Sequence, residues 1–250
     1  MFALLLYCPP QQEDYLIAEL AECGVAGITE EPGRLRAFFD HTADAQALLQ
    51  QFAPYRPELA AVPSLDWEQV ARDAWPPLEI GERFYLVAPW SREETPPARL
   101  RLEIEPGMAC GTGRHPATQL CLEALEKLVQ PGCSVLDVGT GSGILARAAE
   151  LLGAGRVTGC DVDAGAVAIA RARLGPALFA GSIGAVRSSS QDLIVANIDA
   201  ATLETLAPEL ERVRRPASRL ILSGFPEWDL PAGFHPRERL QRGEWICLIC

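Results

Sequence analysis

Basic residues are scarce in this sequence. The chain of 250 residues contains 22 Lys and Arg against 33 Asp and Glu, which gives a formal net charge of −11 at pH 7. Proteins that bind nucleic acid neutralise phosphates with clustered Lys and Arg, so this balance argues against a direct nucleic-acid partner. A basic protein or a small molecule is the better match for the charge.

Long apolar runs are also absent. The apolar stretch at residues 1–8 is too short for a membrane span, or for a signal-peptide core with its charged flank. Nowhere else does an apolar segment approach the roughly 20 residues that a spanning helix needs. The sequence therefore predicts a cytoplasmic protein with no membrane association.

No cysteine pattern of a disulfide framework or a metal site is present. The 8 cysteines are scattered mostly within apolar runs. Only Cys247 and Cys250 have the spacing of a redox or metal-binding pair, and neither a second pair nor a histidine cluster accompanies them. We therefore expect reduced thiols packed in the core, a terminal core strand at this pair, and no bound metal.

The first quarter of the chain has the pattern of a small α+β domain. The predicted order is strand, helix, strand, strand, helix, strand, at residues 2–8, 13–23, 25–29, 35–39, 43–52 and 57–62. Thr42 is the predicted cap of the second helix. This order is the split βαβ pattern of a ferredoxin-like domain, and without a cluster of chemically active residues we assign residues 1–62 to recognition or structure.

A connector follows at residues 63–82. Asp66 can cap a short helix that carries Trp67 and Trp75, and two prolines end it. These tryptophans either pack against one of the domains or belong to a hinge, and the sequence does not choose between the two roles. Residues 83–250 form the larger domain, which opens with predicted strands at 83–87 and 100–104.

The larger domain is organised around Ser-Val-Leu-Asp-Val-Gly-Thr-Gly-Ser-Gly-Ile-Leu-Ala at residues 134–146. Its apolar beginning predicts a buried parallel strand, and Gly139, Gly141 and Gly143 permit positive φ in a tight loop before a helix. Asp137 would repel a phosphate but can accept hydrogen bonds from a cationic or hydroxylated ligand. A glycine loop alone is a weak signal, and a tight turn without any ligand stays open at this point.

Strands and helices alternate on both sides of this stretch. Helices are predicted at residues 116–129, 144–152, 164–174 and 202–213, and strands at 156–160, near 178, at 192–196 and at 219–222. Such repetition predicts an α/β fold with a parallel, doubly wound sheet. Two final extended segments, 234–240 and 245–250, predict an antiparallel hairpin that closes the sheet.

An acidic residue after the second strand of this unit narrows the ligand class. Asp161 lies about twenty residues beyond the glycines, where a carboxylate can accept hydrogen bonds from both hydroxyls of an adenosine ribose. This leaves a dinucleotide or S-adenosylmethionine. The acid ahead of the glycine loop and the terminal hairpin favour S-adenosylmethionine, because both features are typical of class I methyltransferases, which this half of the chain resembles.

The resemblance narrows further and covers essentially the whole chain. The loop Gly-Thr-Gly-Arg-His-Pro-Ala-Thr at residues 111–118, the glycine stretch, Gly-Cys-Asp-Val-Asp at 159–163, Val-Ala-Asn-Ile at 195–198 and Leu-Ser-Gly at 222–224 resemble the bacterial ribosomal protein L11 methyltransferases, the PrmA family. The resemblance implies a ferredoxin-like substrate-recognition domain joined by a flexible linker to a class I methyltransferase domain. It also implies transfer of three methyl groups from S-adenosylmethionine to lysine side chains, and to the N-terminal amine, of protein L11.

Carried over position by position, the resemblance implies a cofactor site made of Thr118, Gly139, Gly141, Asp161 and Asn197. Thr118, expected near the exposed N-terminal end of its helix, would contact the methionine end of the cofactor. The main chain at Gly139 would approach the cofactor closely, and Asp161 would bind its ribose. Asn197 ends the fourth strand, at the carboxyl edge where such sheets bind ligands, so it would also hold the incoming amine and is the predicted catalytic residue.

The expected reaction is an in-line displacement at the sulfonium methyl group, in which positioning matters more than covalent catalysis. A lysine must lose its proton before attack, and an apolar pocket favours the neutral amine, so no dedicated base is required. His115 and Asp199 can accept protons, but His115 is more simply a loop-fixing residue and Asp199 a helix cap.

Three positions depart from the family pattern. Cys110 stands where Phe is usual, Ala117 where Thr is usual, and Asp199 where an apolar residue is expected. We expect a monomer that takes L11 free or on the large subunit, with substrate choice in the small domain and linker. Two other functions stay open: methylation of another protein or a small amine, and a non-catalytic module that assists ribosome assembly.

Overall fold

The computed structural model describes residues 2–9, 12–31, 33–61, 75–105, 112–171 and 177–250. Contacts within the chain divide it into two compact units, Met1–Val70 and Ala71–Cys250. The short helix predicted to begin at Asp66 lies outside the described residues, except for Trp75 at its end. The domain boundaries at residues 62 and 82 therefore stay a prediction.

Within the described residues, the first unit contains two α-helices and four strands. In chain order these are β1 (Phe2–Tyr7), α1 (Glu13–Glu22), β2 (Gly27–Glu31), β3 (Arg34–Phe39), α2 (Ala45–Gln51) and β4 (Glu58–Ala61). The strands form one antiparallel sheet in the order β2-β3-β1-β4. This order and these connections are the predicted split βαβ, ferredoxin-like arrangement.

Alternation along the strands builds the core of the first unit, because every second side chain of a strand points to the same face of the sheet. The helices turn apolar residues toward that face at helical spacing. The buried residues of β1, β3, α1 and α2 include Leu4, Leu6, Leu35, Ala37, Phe39, Leu16, Leu20 and Leu48.

The cap of α2 is Asp44, and the prediction of Thr42 is wrong. The Asp44 carboxylate accepts hydrogen bonds from the N–H groups of Gln46 at 3.0 Å and Ala47 at 3.1 Å. Thr42 lies two residues too early, and its own N–H donates to Asp40 at 3.2 Å. A cap must directly precede the first helical residue for its side chain to reach the free N–H groups of the first turn.

The described elements of the second unit position the candidate site. They are β5 (Leu78–Ile80), β6 (Phe84–Val87), β7 (Leu100–Glu103), α3 (Pro116–Leu128), β8 (Ser134–Val138), α4 (Ile144–Leu151), β9 (Arg156–Asp161), α5 (Ala164–Arg171), β10 (Ala177–Ala180), β11 (Gln191–Asn197), α6 (Ala200–Val213), β12 (Arg214–Pro226), β13 (Glu238–Arg242) and β14 (Trp245–Ile249). Strands β5, β6 and β7 form a small sheet of their own. The carboxylate of Glu126 in α3 accepts hydrogen bonds from the N–H groups of Glu82 and Arg83, each at 2.9 Å, and so fixes the turn between β5 and β6.

The other strands of this unit form a sheet in the order β10-β9-β8-β11-β12-β14-β13. The pairs from β10 to β12 are parallel, and β14 runs antiparallel between β12 and β13. The predicted doubly wound sheet with a terminal hairpin is confirmed. Strand β12 extends beyond the predicted 219–222 at both ends. Arg214 pairs with Gln191 of β11, and pairing with β14 resumes beyond a bulge between Ser223 and Phe225.

Both faces of this sheet are covered. Apolar residues of α3, α4 and α5 pack in one core, and those of α6 pack in a second core. Every residue of β8 is buried, as expected for a parallel strand between two layers. Cys247 belongs to the first core and Cys250 to the second, which confirms the prediction of core thiols at the end of the chain.

Candidate functional site

A cavity of about 670 Å³ opens at the carboxyl ends of β8, β9 and β11. Parallel α/β sheets bind ligands at this edge, and small-molecule sites commonly measure roughly 300 to 1,000 Å³. The structure brings all five predicted site residues to the cavity wall, namely Thr118, Gly139, Gly141, Asp161 and Asn197.

The glycine loop between β8 and α4 forms one wall of the cavity. Gly139, Gly141 and Gly143 have φ angles of +70°, +50° and +79°, in the left-handed region that other residues disfavour. A Cβ atom at Gly139 would lie 2.6 Å from Cγ2 of Ile198. The N–H of Gly139 donates to the carbonyl of Cys160 at 2.8 Å, which ties the loop to β9. The loop therefore depends on glycine both for its backbone conformation and for space.

Asp137, the acid of β8, does not line the cavity. It is wholly buried, and its Oδ2 accepts hydrogen bonds from the Thr140 hydroxyl at 2.7 Å and the Ala146 N–H at 3.1 Å. Burial raises the pKa of this carboxyl to about 6, although the two hydrogen bonds act in the opposite direction. The expectation that Asp137 accepts from a ligand is therefore wrong, because its carboxylate joins the glycine loop to α4.

Asp161 ends β9 and borders the cavity. Its Oδ2 accepts from the N–H of Gly141 at 2.8 Å, and its Oδ1 accepts from the N–H of Asp163 at 3.0 Å. An ionised carboxylate has about four lone-pair sites, so both oxygens keep the capacity to accept from ligand hydroxyls. Val162 beside it is 84% exposed and adds an apolar surface to the same wall.

Thr118 and Asn197 meet at the cavity although 79 positions separate them in the sequence. Nδ2 of Asn197, at the end of β11, donates to Oγ1 of Thr118, in the first turn of α3, at 3.0 Å. Thr118 is only 2% exposed, whereas the sequence predicts an exposed helix end. Because Nδ2 is engaged by Thr118, Oδ1 is the acceptor that this amide can offer to a ligand.

Asp199 and His115 also border the cavity, and local hydrogen bonds hold both. Asp199 caps α6 by accepting from the hydroxyl of Thr202 at 2.7 Å and from its N–H at 2.8 Å, and these hydrogen bonds lower the pKa of the carboxyl. Nδ1 of His115 accepts from the N–H of Ala117 at 3.3 Å. The His115 ring stands roughly perpendicular to that of Trp245, with 4.3 Å between centroids. The predicted helix cap and loop-fixing residue are confirmed.

Several cavity-lining residues were not predicted, and Gly224, Val162 and Trp245 are three of them. Gly224 has a φ of +103°, and a Cβ atom there would lie 2.5 Å from the carbonyl oxygen of Ile198. Gly224 could have been identified from the sequence, since it lies two residues after the end of the predicted strand at 219–222. Val162, an apolar residue between two acids, was also detectable. Trp245 was not, because only the pairing of β14 with β12 brings it to this edge.

Comparison with known proteins places these features in a family. Residues 11–250 match the family model described as "Ribosomal protein L11 methyltransferase (PrmA)". The chain belongs to this family. It is 40% identical over 254 residues to the ribosomal protein L11 methyltransferase of Dechloromonas aromatica, covering 92% of this chain and 84% of that one. The Burkholderia mallei protein of the same name is 41% identical over 201 residues, covering 76% of this chain and 67% of its own length.

A solved structure has the same fold. The ribosomal protein L11 methylase from Lactobacillus delbrueckii subsp. bulgaricus is 31% identical, with a TM-score of 0.63, and the match covers 69% of this chain and 96% of that chain. The predicted family resemblance and fold class are confirmed, and the chain is a methyltransferase with S-adenosylmethionine as its cofactor. Of the departures from the family pattern, Cys110 lies outside the described residues, and Ala117 is buried at the start of α3.

The residues of the cavity fit this cofactor. The absence of a side chain at Gly139 leaves the main chain open to close approach, and any Cβ there would contact Ile198. Asp161 supplies a carboxylate for hydroxyl donors, and the exposed Val162 supplies apolar surface for a planar ring. A mostly apolar wall with a few fixed polar groups is the usual composition of such sites.

Proposed function

We propose that this protein is a lysine N-methyltransferase of ribosomal protein L11, which uses S-adenosylmethionine to trimethylate lysine side chains and the N-terminal amine of its substrate. One observation carries the proposal. Asn197 and Thr118 meet at a cavity that also contains the glycine loop and Asp161, in a chain that matches the L11 methyltransferase family from residue 11 to residue 250.

The cofactor residues keep the roles that the family resemblance gives them. When bound, S-adenosylmethionine supplies a methyl group that its positively charged sulfur has already activated for displacement. Asp161 would accept hydrogen bonds from the ribose hydroxyls, and the main chain at Gly139 and Gly141, which line the same cavity, would lie close to the cofactor. Thr118 holds the methionine end. The chain's contribution to rate is therefore the position of the two reacting groups.

Asn197 holds the substrate amine. Its Nδ2 is engaged by Thr118, so Oδ1 accepts a hydrogen bond from the incoming nitrogen and orients the lone pair of that nitrogen. Lysine has a reference pKa of about 10.4, and the apolar cavity favours the neutral amine by penalising the ammonium form. The carboxylate of Asp199 is held by Thr202, so we assign no dedicated base.

We place the protein in the cytoplasm as a monomer that takes L11 free or on the large ribosomal subunit, without direct contact to nucleic acid. The formal charge of −11 supports a basic protein as the partner and the absence of direct contact with nucleic acid, because it attracts basic groups and repels RNA phosphates. Among the described residues, no helix combines the length and the apolar character needed to cross a membrane.

The alternatives that the sequence left open are not favoured. A match to the L11 methyltransferase family from residue 11 to residue 250 argues against an unrelated protein or small amine as the methyl acceptor. A non-catalytic assembly module would have no reason to retain Thr118, Asp161 and Asn197 around one cavity. These residues therefore favour an enzyme over a binding module.

Purified L11 incubated with the protein and isotopically labelled cofactor tests the proposal. We expect label in L11 and mass increments of one to three methyl groups at individual amines. Asn197→Ala should lower kcat roughly 100-fold, as expected for a lost polar contact to the reacting group. L11 that gains no methyl group while calorimetry shows tight cofactor binding would exclude this substrate. Absence of cofactor binding would exclude the enzyme.

A further inference from the structure

The loop that follows β12 carries exposed apolar side chains. Trp228 is 73% exposed, and Leu230, two residues later, is 43% exposed. Single exposed apolar residues are common, but a neighbouring tryptophan and leucine form a small patch that folding does not account for. Tryptophan is also enriched among the residues that dominate binding at protein interfaces.

The backbone of this loop is held in place. The N–H of Glu227 donates to the carbonyl of Glu244 at 2.8 Å, and the N–H of Ala232 donates to the Glu204 carboxylate of α6 at 2.7 Å. Pro231 between these anchors is buried. The two exposed side chains therefore project from a backbone that is fixed on both sides, which limits the entropy lost when a partner covers them.

This loop also adjoins the cavity. Gly224 and Trp245 line the cavity, and Pro226 of β12 is the register partner of Trp245 in β14. Trp228 follows Pro226 by two residues, a span of roughly 7 Å of chain at most. Trp228 therefore lies within a few residues of chain from two residues that line the cavity containing Asn197.

The charge around these side chains is negative. Glu227, Asp229 and Glu244 are exposed on the loop and on the nearby hairpin turn. Arg239 forms an ion pair with Glu227 at 2.5 Å, and Arg242 on the same hairpin pairs with Glu123 of α3. Within the part of the chain that the structure describes, no ion pair neutralises Asp229 or Glu244. Lysine and arginine side chains suit such a surface, because their stems pack on the Trp228 ring while their charges face the carboxylates. Charge complementarity therefore selects a basic polypeptide over an apolar or acidic one.

We propose that Trp228, Asp229 and Leu230, here called the Trp228 patch, dock the basic segment of the protein substrate that flanks the lysine being methylated. The inference rests on the proposed function and extends it. It adds a contact on the methyltransferase unit to the recognition that the sequence assigns to the small domain and linker. The patch fixes which part of the substrate enters the cavity, so it acts on the affinity for the protein substrate and not on the chemistry.

Steady-state methylation of purified L11 by the wild-type protein and by Trp228→Ala tests the patch. We expect the KM for L11 to rise roughly tenfold or more, as for a dominant interface residue. The value of kcat and the calorimetric dissociation constant of S-adenosylhomocysteine should stay within about twofold, because the lost contact is made equally before and during methyl transfer. Asp229→Lys should also raise the KM, and high salt should reduce that rise.

The tryptophan itself supplies a readout that does not depend on turnover. Adding L11 to the protein loaded with S-adenosylhomocysteine should shift the fluorescence of wild type to shorter wavelength, because Trp228 loses its contact with water. The part of the shift due to this residue should be missing in Trp228→Phe. Ile169→Ala is the matched control, since Ile169 is a 44% exposed apolar residue on α5, and its KM should equal that of wild type.

Each contrary result overturns the patch in a recognisable way. An unchanged KM in Trp228→Ala and Asp229→Lys would show that the Trp228 patch does not bind the substrate, and it would leave the L11 methyltransferase function intact. Weaker binding of S-adenosylhomocysteine by Trp228→Ala makes the loop a support of the cavity. Dimers in wild type but monomers in Trp228→Ala, with an unchanged KM, assign the patch to a second copy of the chain. Failure of wild type to methylate L11 removes both the function and the patch.

Discussion

Asn197 donates a hydrogen bond from its side-chain amide to the hydroxyl of Thr118 at 3.0 Å, and this contact joins the end of β11 to the first turn of α3. Both residues border the cavity, and Thr118 is almost fully buried. This hydrogen bond restrains the Asn197 side chain, because breaking it would leave the buried Thr118 hydroxyl without this partner. The position of the Asn197 amide therefore depends on the contact between β11 and α3.

Thr118→Val tests whether this contact matters for methyl transfer. Valine keeps the shape of threonine but cannot accept from Asn197, so we expect kcat for L11 methylation to fall roughly two- to tenfold, the equivalent of one hydrogen bond. Thr118→Ser retains the hydroxyl and should stay close to wild type. The two variants are compared by steady-state kinetics, with the cofactor dissociation constant measured by calorimetry. Equal loss in both would assign the effect to packing.

Asp161→Ala should weaken cofactor binding. Loss of a charged acceptor leaves ribose hydroxyls unpaired, which is equivalent to about ten- to a hundredfold in the dissociation constant. Calorimetry with S-adenosylhomocysteine measures the change. Asp163→Ala is the matched control, because the Asp163 carboxylate accepts from the N–H groups of Gly165 at 2.8 Å and Ala166 at 3.2 Å at the start of α5. It should reduce thermal stability and leave affinity unchanged.

Gly139→Ala should impair both the fold and cofactor binding. At a φ of +70° an alanine is strained by roughly 1 to 2 kcal/mol, and its Cβ would also lie 2.6 Å from Ile198. Gly132→Ala separates the two effects, because Gly132 has a φ of +81° but nothing within 4 Å of a Cβ. Chemical unfolding should show destabilisation in both variants. A cofactor affinity in Gly139→Ala as high as in Gly132→Ala would contradict the close approach of the main chain to the ligand.

Asp137 should make stability depend on pH in an unusual direction. Burial raises its folded-state pKa from 3.8 to about 6, so the folded protein binds this proton more tightly than the unfolded chain does. The stabilisation is complete below the unfolded pKa and is lost as pH rises through about 6. In Asp137→Asn this loss is absent, so the variant should gain about 1 kcal/mol relative to wild type between about pH 5 and about pH 7.5.

Urea unfolding of both proteins at the two pH values measures this difference. Asp192→Asn is the control. Burial raises the Asp192 pKa, but hydrogen bonds from Ser134 and Arg215 outweigh it and lower the pKa to about 2. That carboxyl is therefore ionised throughout the range, and its substitution should shift stability equally at both pH values. A flat difference for Asp137→Asn as well would contradict a folded-state pKa of about 6 for Asp137.

Much of the fold follows from local pattern. The apolar runs and helical spacings identified most elements of both units within a few residues, because alternation and amphipathic periodicity are set by near neighbours in the chain. Strand β5 was missed, since residues 78–80 were assigned to the connector. The positive φ angles at Gly139 and Gly141 were also accessible, since only glycine adopts them easily. Asp161 could be placed at the cavity because a βα unit has a nearly constant length.

The sequence by itself determined the two-unit α/β architecture, the glycine loop and five of the residues that line the cavity. The tertiary structure alone decided how they meet. It inserts β14 between β12 and β13, brings Trp245 to His115, turns the acid of β8 inward, and joins Thr118 to Asn197 across 79 positions. Strand register and helix packing set these contacts, and both depend on burial of apolar surface by segments far apart in the chain, which no local window of sequence contains.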